Sequence, residues 1–137
     1  MSAPVLEAPP ALPEVRFVAP LPGLEQLTRF ALVRLDDTGT LYSLQSLEVE
    51  GVRLVVLAPG AVFPDYAPEV EEDDVDGLGL ATADDALLLV VVTPGASLAA
   101  STANLMAPIV VHAGTGLAAQ VLLPRGEHPL RAPLVAA

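Results

Sequence analysis

The sequence predicts a small, single-domain, all-β fold of antiparallel strands, and three observations carry that prediction. Strand-like, apolar-rich runs of seven or eight residues recur along the 137-residue chain, the length at which strands are more economical than helices. Gly-containing segments separate several of these runs and suit tight hairpins. Where the apolar residues are continuous, as in Leu87-Leu88-Leu89-Val90-Val91-Val92, enough are β-branched to favour strand over a short buried helix.

Residues 1–14 hold four prolines, Pro4, Pro9, Pro10 and Pro13, among alanines, with no periodic apolar face. They read as an extended, flexible lead-in, so the domain is expected to span 15–133. Val15 and Phe17 then alternate with Glu14 and Arg16, the period-2 pattern of a half-buried strand. Pro20, Pro22 and Gly23 force a turn.

Strands are expected over 28–35, 41–47, 52–58, 86–93, 107–113 and 117–123. Asp36-Asp37-Thr38-Gly39, Glu48-Val49-Glu50-Gly51 and Gly114-Thr115-Gly116 are the hairpin turns. A strand apolar on both sides must be covered on both, which a sandwich or a closed barrel achieves.

One stretch departs from this pattern. Nine of the 17 acidic residues lie between Asp65 and Asp85, with no basic residue among them. Residues 68–80 can hold one or two helical turns ended by Gly77 and Gly79. Such a run is either a solvated loop or an ordered acidic binding surface.

The charge balance excludes several functions. Six arginines and no lysine stand against 17 acidic residues, a formal net charge of −11. Scattered arginines cannot neutralise a run of phosphates, so no direct nucleic-acid binding is expected. Anionic membranes are disfavoured equally, and a basic protein is the electrostatic complement. The longest apolar run, Ala86 to Val92, has seven residues, far short of the roughly 20 a membrane helix needs. The N-terminus has no positive segment followed by an apolar one, and the chain has no cysteine. A cytoplasmic protein is expected.

No catalytic constellation emerges, and neither cofactor nor metal is expected. His112 and His128 stand apart, without metal-ligand spacing. Asp73, Asp74 and Asp76 do not fit the calcium-loop pattern, and Gly77-Leu78-Gly79 lacks the following Gly-Lys-Ser/Thr of a phosphate loop. Ser97, Ser101 and Thr102 have no nucleophile-elbow setting. A glycosidase would need two carboxylates across a cleft, and five aromatic residues leave little for stacking a sugar.

Three clusters remain. Phe63-Pro64-Asp65-Tyr66 puts two aromatics at the mouth of the acidic run, where Tyr66 either anchors a partner or caps the core. In Thr102-Ala103-Asn104-Leu105-Met106-Ala107-Pro108, Asn104 can close a turn onto backbone groups. Leu44-Gln45-Ser46 reads as a strand with an outward Gln45.

These blocks, taken with LPGLE at 21–25, FALVRL at 30–35, VFPDY at 62–66, TANLMAPIVV at 102–111 and QVLL at 120–123, closely resemble the FliW family of flagellar assembly factors. The resemblance runs collinearly from Phe17 to Pro133. It implies a mostly antiparallel β-barrel-like protein without enzymatic activity, monomeric when free. Its implied partners are flagellin and the carbon storage regulator CsrA, an RNA-binding repressor of flagellin mRNA translation. Flagellin, accumulating, would occupy the factor and free CsrA to repress; after export, the factor would return to CsrA. The resemblance favours antagonism away from the RNA site, through differential affinity for the regulator's states.

The sequence departs from the family at Leu24, where phenylalanine is common, and at His112, where asparagine is usual. Residues 113–119 also lack a frequent lysine. The expected partner-binding residues are Asp65, Tyr66, Glu69, Glu71, Glu72, Asp73, Asp74, Asp76 and Asn104. Alternatives are a companion of flagellin alone, a generic acidic adaptor, or a polysaccharide-active enzyme.

Overall fold

A computed structural model describes residues 14–21, 23–81, 85–124 and 126–134. The expected lead-in lies outside the described residues except for Glu14. Nine strands occur among the described residues: β1 (Val15–Phe17), β2 (Arg29–Arg34), β3 (Leu41–Ser46), β4 (Arg53–Leu57), β5 (Ala86–Thr93), β6 (Thr102–Ala103), β7 (Ile109–His112), β8 (Leu117–Gln120) and β9 (Ala132–Pro133).

Strands β1-β2-β3-β4-β5-β7-β8 pair in that order, and β8 returns to β1, so seven strands close into a barrel. Closure decides between the sandwich and the barrel that the residue pattern left open, and agrees with the β-barrel that the resemblance implied. Every pairing is antiparallel except β1 with β8, which runs parallel with Arg16 opposite Leu117. β6 continues along the edge of β5 beyond β7 and carries β9 on its far side. These two-residue strands were not expected, because a period-2 pattern cannot show itself in two residues.

Alternation along each strand sorts the side chains. Val15, Phe17, Phe30, Leu44, Val56, Leu89, Ile109 and Val111 are buried together in the central core. Phe17 and Phe30 meet edge to face with ring centroids 5.6 Å apart, an arrangement favoured by the aromatic quadrupole.

The apolar exterior of β5 is covered in two places. Val62, Phe63 and Tyr66 pack against Leu57, Val90 and Val92, while Leu78, Val70, Val75 and Leu80 pack against Val110, Ala119, Ala86 and Leu88. The two-sided run at 86–93 is thus accounted for: one face fills the barrel and the other seats the segment between β4 and β5.

Side chains close the turns as their chemistry dictates. Asp36 Oδ1 accepts from the backbone N–H of Gly39 and of Thr40, each at 3.0 Å. Ser46 Oγ accepts from Glu48 and Val49, also at 3.0 Å. His112 Nδ1 accepts from Gly114 at 2.9 Å and Thr115 at 3.2 Å, so an imidazole nitrogen does here what an asparagine oxygen could do.

Gly116 is fixed by two demands at once. Its φ is +83°, and a Cβ on it would collide with the carbonyl oxygen of Glu14. That close approach carries the β1–β8 seam, where the Arg16 N–H donates to the Gly116 carbonyl at 2.8 Å. Beside the seam, the Glu14 carboxylate accepts from Arg29 Nε at 2.9 Å and from its Nη2 at 3.2 Å.

Candidate partner-binding surface

The acidic stretch lies against the barrel wall because it is not uniformly acidic. Val70, Val75, Leu78 and Leu80 recur within it and pack on the exterior of β5, β7 and β8. Leu78, at 1% exposure, is the deepest of these. Residues Glu72–Leu78 form a 3-10 stretch interrupted at Val75, with φ −121° and ψ 16°. Gly79 follows at φ +68°, a conformation a glycine adopts without steric cost. This is the short helical segment expected over 68–80.

Docking the apolar residues inward leaves Asp65, Glu69, Glu71, Asp73 and Asp76 exposed. Glu72 and Asp74 belong to the same 3-10 stretch. Asp84 lies outside the described residues. Asp85 Oδ2 accepts from the Ala81 N–H at 3.3 Å and so ties the end of the segment to the start of β5.

Tyr66 is half-buried, and its hydroxyl donates to the Leu105 carbonyl at 2.6 Å. Its ring meets that of His128 edge to face, centroids 5.1 Å apart. Burial pushes its phenol up to about 12, because the phenolate would lose hydration. Tyr66 therefore joins the acidic segment to the loop that opens the TANLMAP block. In that block Asn104 Oδ1 accepts from the N–H of Met106 at 3.0 Å and of Ala107 at 3.2 Å. Gln120 supports the same loop by donating to the Ala107 carbonyl at 3.0 Å.

Two concavities accompany these elements. A cavity of about 770 Å³ lies between the acidic segment and the barrel wall, lined by Val70, Val75, Leu80, Ala86, Leu88 and Val110 with Asp76 among them. A smaller one of about 360 Å³ opens at the barrel mouth between Leu21, Leu24, Met106, Leu122 and Leu130. Asn104 lines the second, apart from the acidic residues. The charges alone do not reveal the apolar lining of the larger cavity; the recurrence of Val70, Val75, Leu78 and Leu80 is the signal in the sequence that could have found it.

Among the described residues no three His, Asp or Glu side chains gather closely enough to hold a metal ion, and no helix is long and apolar enough to cross a membrane.

The arrangement of segments on this barrel recurs in known proteins. The FliW protein family model matches residues 8–134. The chain belongs to the FliW family of flagellar assembly factors. The match begins inside the Pro/Ala-rich segment, seven residues before β1.

Two flagellar assembly factors FliW illustrate the relationship. That of Thermotoga neapolitana is 37% identical over 112 residues, covering 81% of this chain and 75% of the relative. That of Clostridium kluyveri is 32% identical over 114 residues, covering 83% and 79%. A crystal structure of the flagellar assembly factor FliW superposes with a TM-score of 0.83 at 27% identity, covering 90% of this chain and 86% of that one. As a FliW-family chain, it has the barrel of its relatives.

Proposed function

We propose that this chain binds flagellin in the cytoplasm and, in alternation, binds and antagonises CsrA, relieving repression of flagellin mRNA translation. Family membership over nearly the whole chain carries the reading. The exposed carboxylates along 65–76 support it, since an RNA-binding regulator carries a net basic field that draws an acidic partner wherever on it that partner docks. The chain acts as a monomer and without catalysis: flagellin held by the factor leaves CsrA free to repress, and exported flagellin releases the factor to CsrA.

The test titrates the purified chain against flagellin and CsrA, separately and together, by calorimetry. Binding to both, with flagellin displacing CsrA, is expected. Binding to flagellin alone would reduce the role to a companion of flagellin, and binding to neither would refute the reading. Charge reversal at Glu71, Glu72, Asp73 and Asp74 to lysine is expected to weaken CsrA binding and flatten its salt dependence. Unchanged affinity and salt slope would remove the acidic segment from that interface.

A further inference from the structure

The larger cavity has a chemical character of its own. Its floor is the outer face of β5 and β7, where Ala86, Leu88 and Val110 point away from the barrel, and its walls include Val70, Val75 and Leu80 from the acidic segment. About 770 Å³ is within the range of sites that take a bulky apolar group. A single charged side chain, the carboxylate of Asp76, belongs to the described lining. Asp76 is exposed, and the flanking Glu69 and Asp73 are exposed too.

We propose that this cavity receives a leucine-like side chain from a basic segment of a partner protein, with a neighbouring arginine or lysine of that segment pairing with Asp76. The inference rests on the reading that the acidic segment serves a protein partner, and adds which chemistry enters and where. Charge complementarity selects the occupant. Among the described residues the lining has one carboxylate and no cation, which repels an acidic segment and draws a basic one, while the apolar floor rewards an aliphatic side chain rather than a polar one. A small polar metabolite would need several converging donors and acceptors, and the side chains of this lining are apolar except for Asp76. The floor is part of a barrel strand pair, Leu88 opposite Val110, so the pocket is preformed on one side.

The probe is a short synthetic peptide of arginine and leucine, compared with one carrying alanine for leucine and one carrying glutamate for arginine. Binding to the full chain is followed by amide NMR shifts and by calorimetry. The leucine–arginine peptide is expected to shift Ala86, Leu88 and Val110 and to bind at least about tenfold more tightly than the alanine peptide. Ala86→Trp, which fills the cavity, is expected to abolish that preference, and Asp76→Asn to weaken binding and its salt dependence. Thermal melts check that both variants fold, and Asp76→Asn, an isosteric surface change, serves if Ala86→Trp does not.

Equal binding of the leucine and alanine peptides, or shifts confined to other walls, would overturn the proposal. Purified CsrA is then added to the peptide complex. Displacement supports both the pocket and the CsrA reading. Retention of a peptide that meets the criteria above overturns CsrA as the occupant while the pocket stands.

Discussion

Substituting Gly116 by alanine should open the barrel at its seam. The left-handed φ of +83° costs a residue with a Cβ roughly 1–2 kcal/mol. The collision with the Glu14 carbonyl adds about 1–3 kcal/mol, the range for overpacking in which something must shift. The sum, roughly 2–5 kcal/mol, is a large part of a typical domain's stability.

Gly51 supplies the control. It has φ +90°, but a Cβ added there would meet nothing within 4 Å, so Gly51→Ala should cost only the roughly 1–2 kcal/mol of backbone strain. Urea unfolding compares the two. With a slope of about 2 kcal/mol/M, Gly116→Ala should unfold about 1 M below Gly51→Ala. Hydrogen exchange should quicken at the amides of Arg16 and Val18, which donate across the seam to Gly116 and Ala118. Equal midpoints for the two variants, or seam amides as protected as in the parent, would refute the reasoning.

Other outcomes follow from the same geometry. Ser43 is 3% exposed and its hydroxyl has no hydrogen-bond partner among the described residues, so Ser43→Ala should leave stability unchanged or raise it by about 1 kcal/mol in urea unfolding. His112→Ala should lose about 1 kcal/mol with the two turn hydrogen bonds, and His112→Asn should recover most of it; equal melting of the two would contradict the turn-closing role. Acid should destabilise the fold through Glu14, held below its ordinary 4.5 by the hydrogen bond from Arg29, and Glu48, held below its own by the backbone N–H groups of Arg29 and Thr28. Both carboxylates bind protons less readily folded than unfolded, so their contribution is complete above the ordinary value and is lost as pH falls through the lowered folded values. Glu14→Gln should therefore flatten the fall of the urea midpoint between about pH 5 and about pH 3.

The strands were legible because their signal is local. Seven of them stand where the apolar runs predict, trimmed by a residue or more at several ends. β8 was expected to reach 123 and stops at Gln120, although the Val121 and Leu123 amides still donate to the loop at Pro108 and Met106. Closure was not legible in the residues alone, since nothing in Val15–Phe17 says that it pairs with both β2 and β8. The acidic segment was legible as charge but not as a docked strap, because its anchors Val70, Val75, Leu78 and Leu80 are spaced for a wall that only the tertiary structure supplies. Tyr66 could be marked as notable, but its bond to Leu105, 39 residues on, has no trace in the sequence around it.

The parallel seam also sets an order on synthesis. β1 leaves the ribosome before the other described strands, yet its second partner, Leu117–Gln120, follows about a hundred residues later. At bacterial translation speeds of about 5–20 residues per second, that interval is about 5–20 s. Throughout it the hairpins from β1 to β4 can form while the far edge of β1 stays open, a template for other nascent strands. The ring shuts only once β8 has followed β1 out of the ribosome, so crowding of polysomes on one message should penalise this protein more than a fold whose first strand is satisfied by its immediate successors.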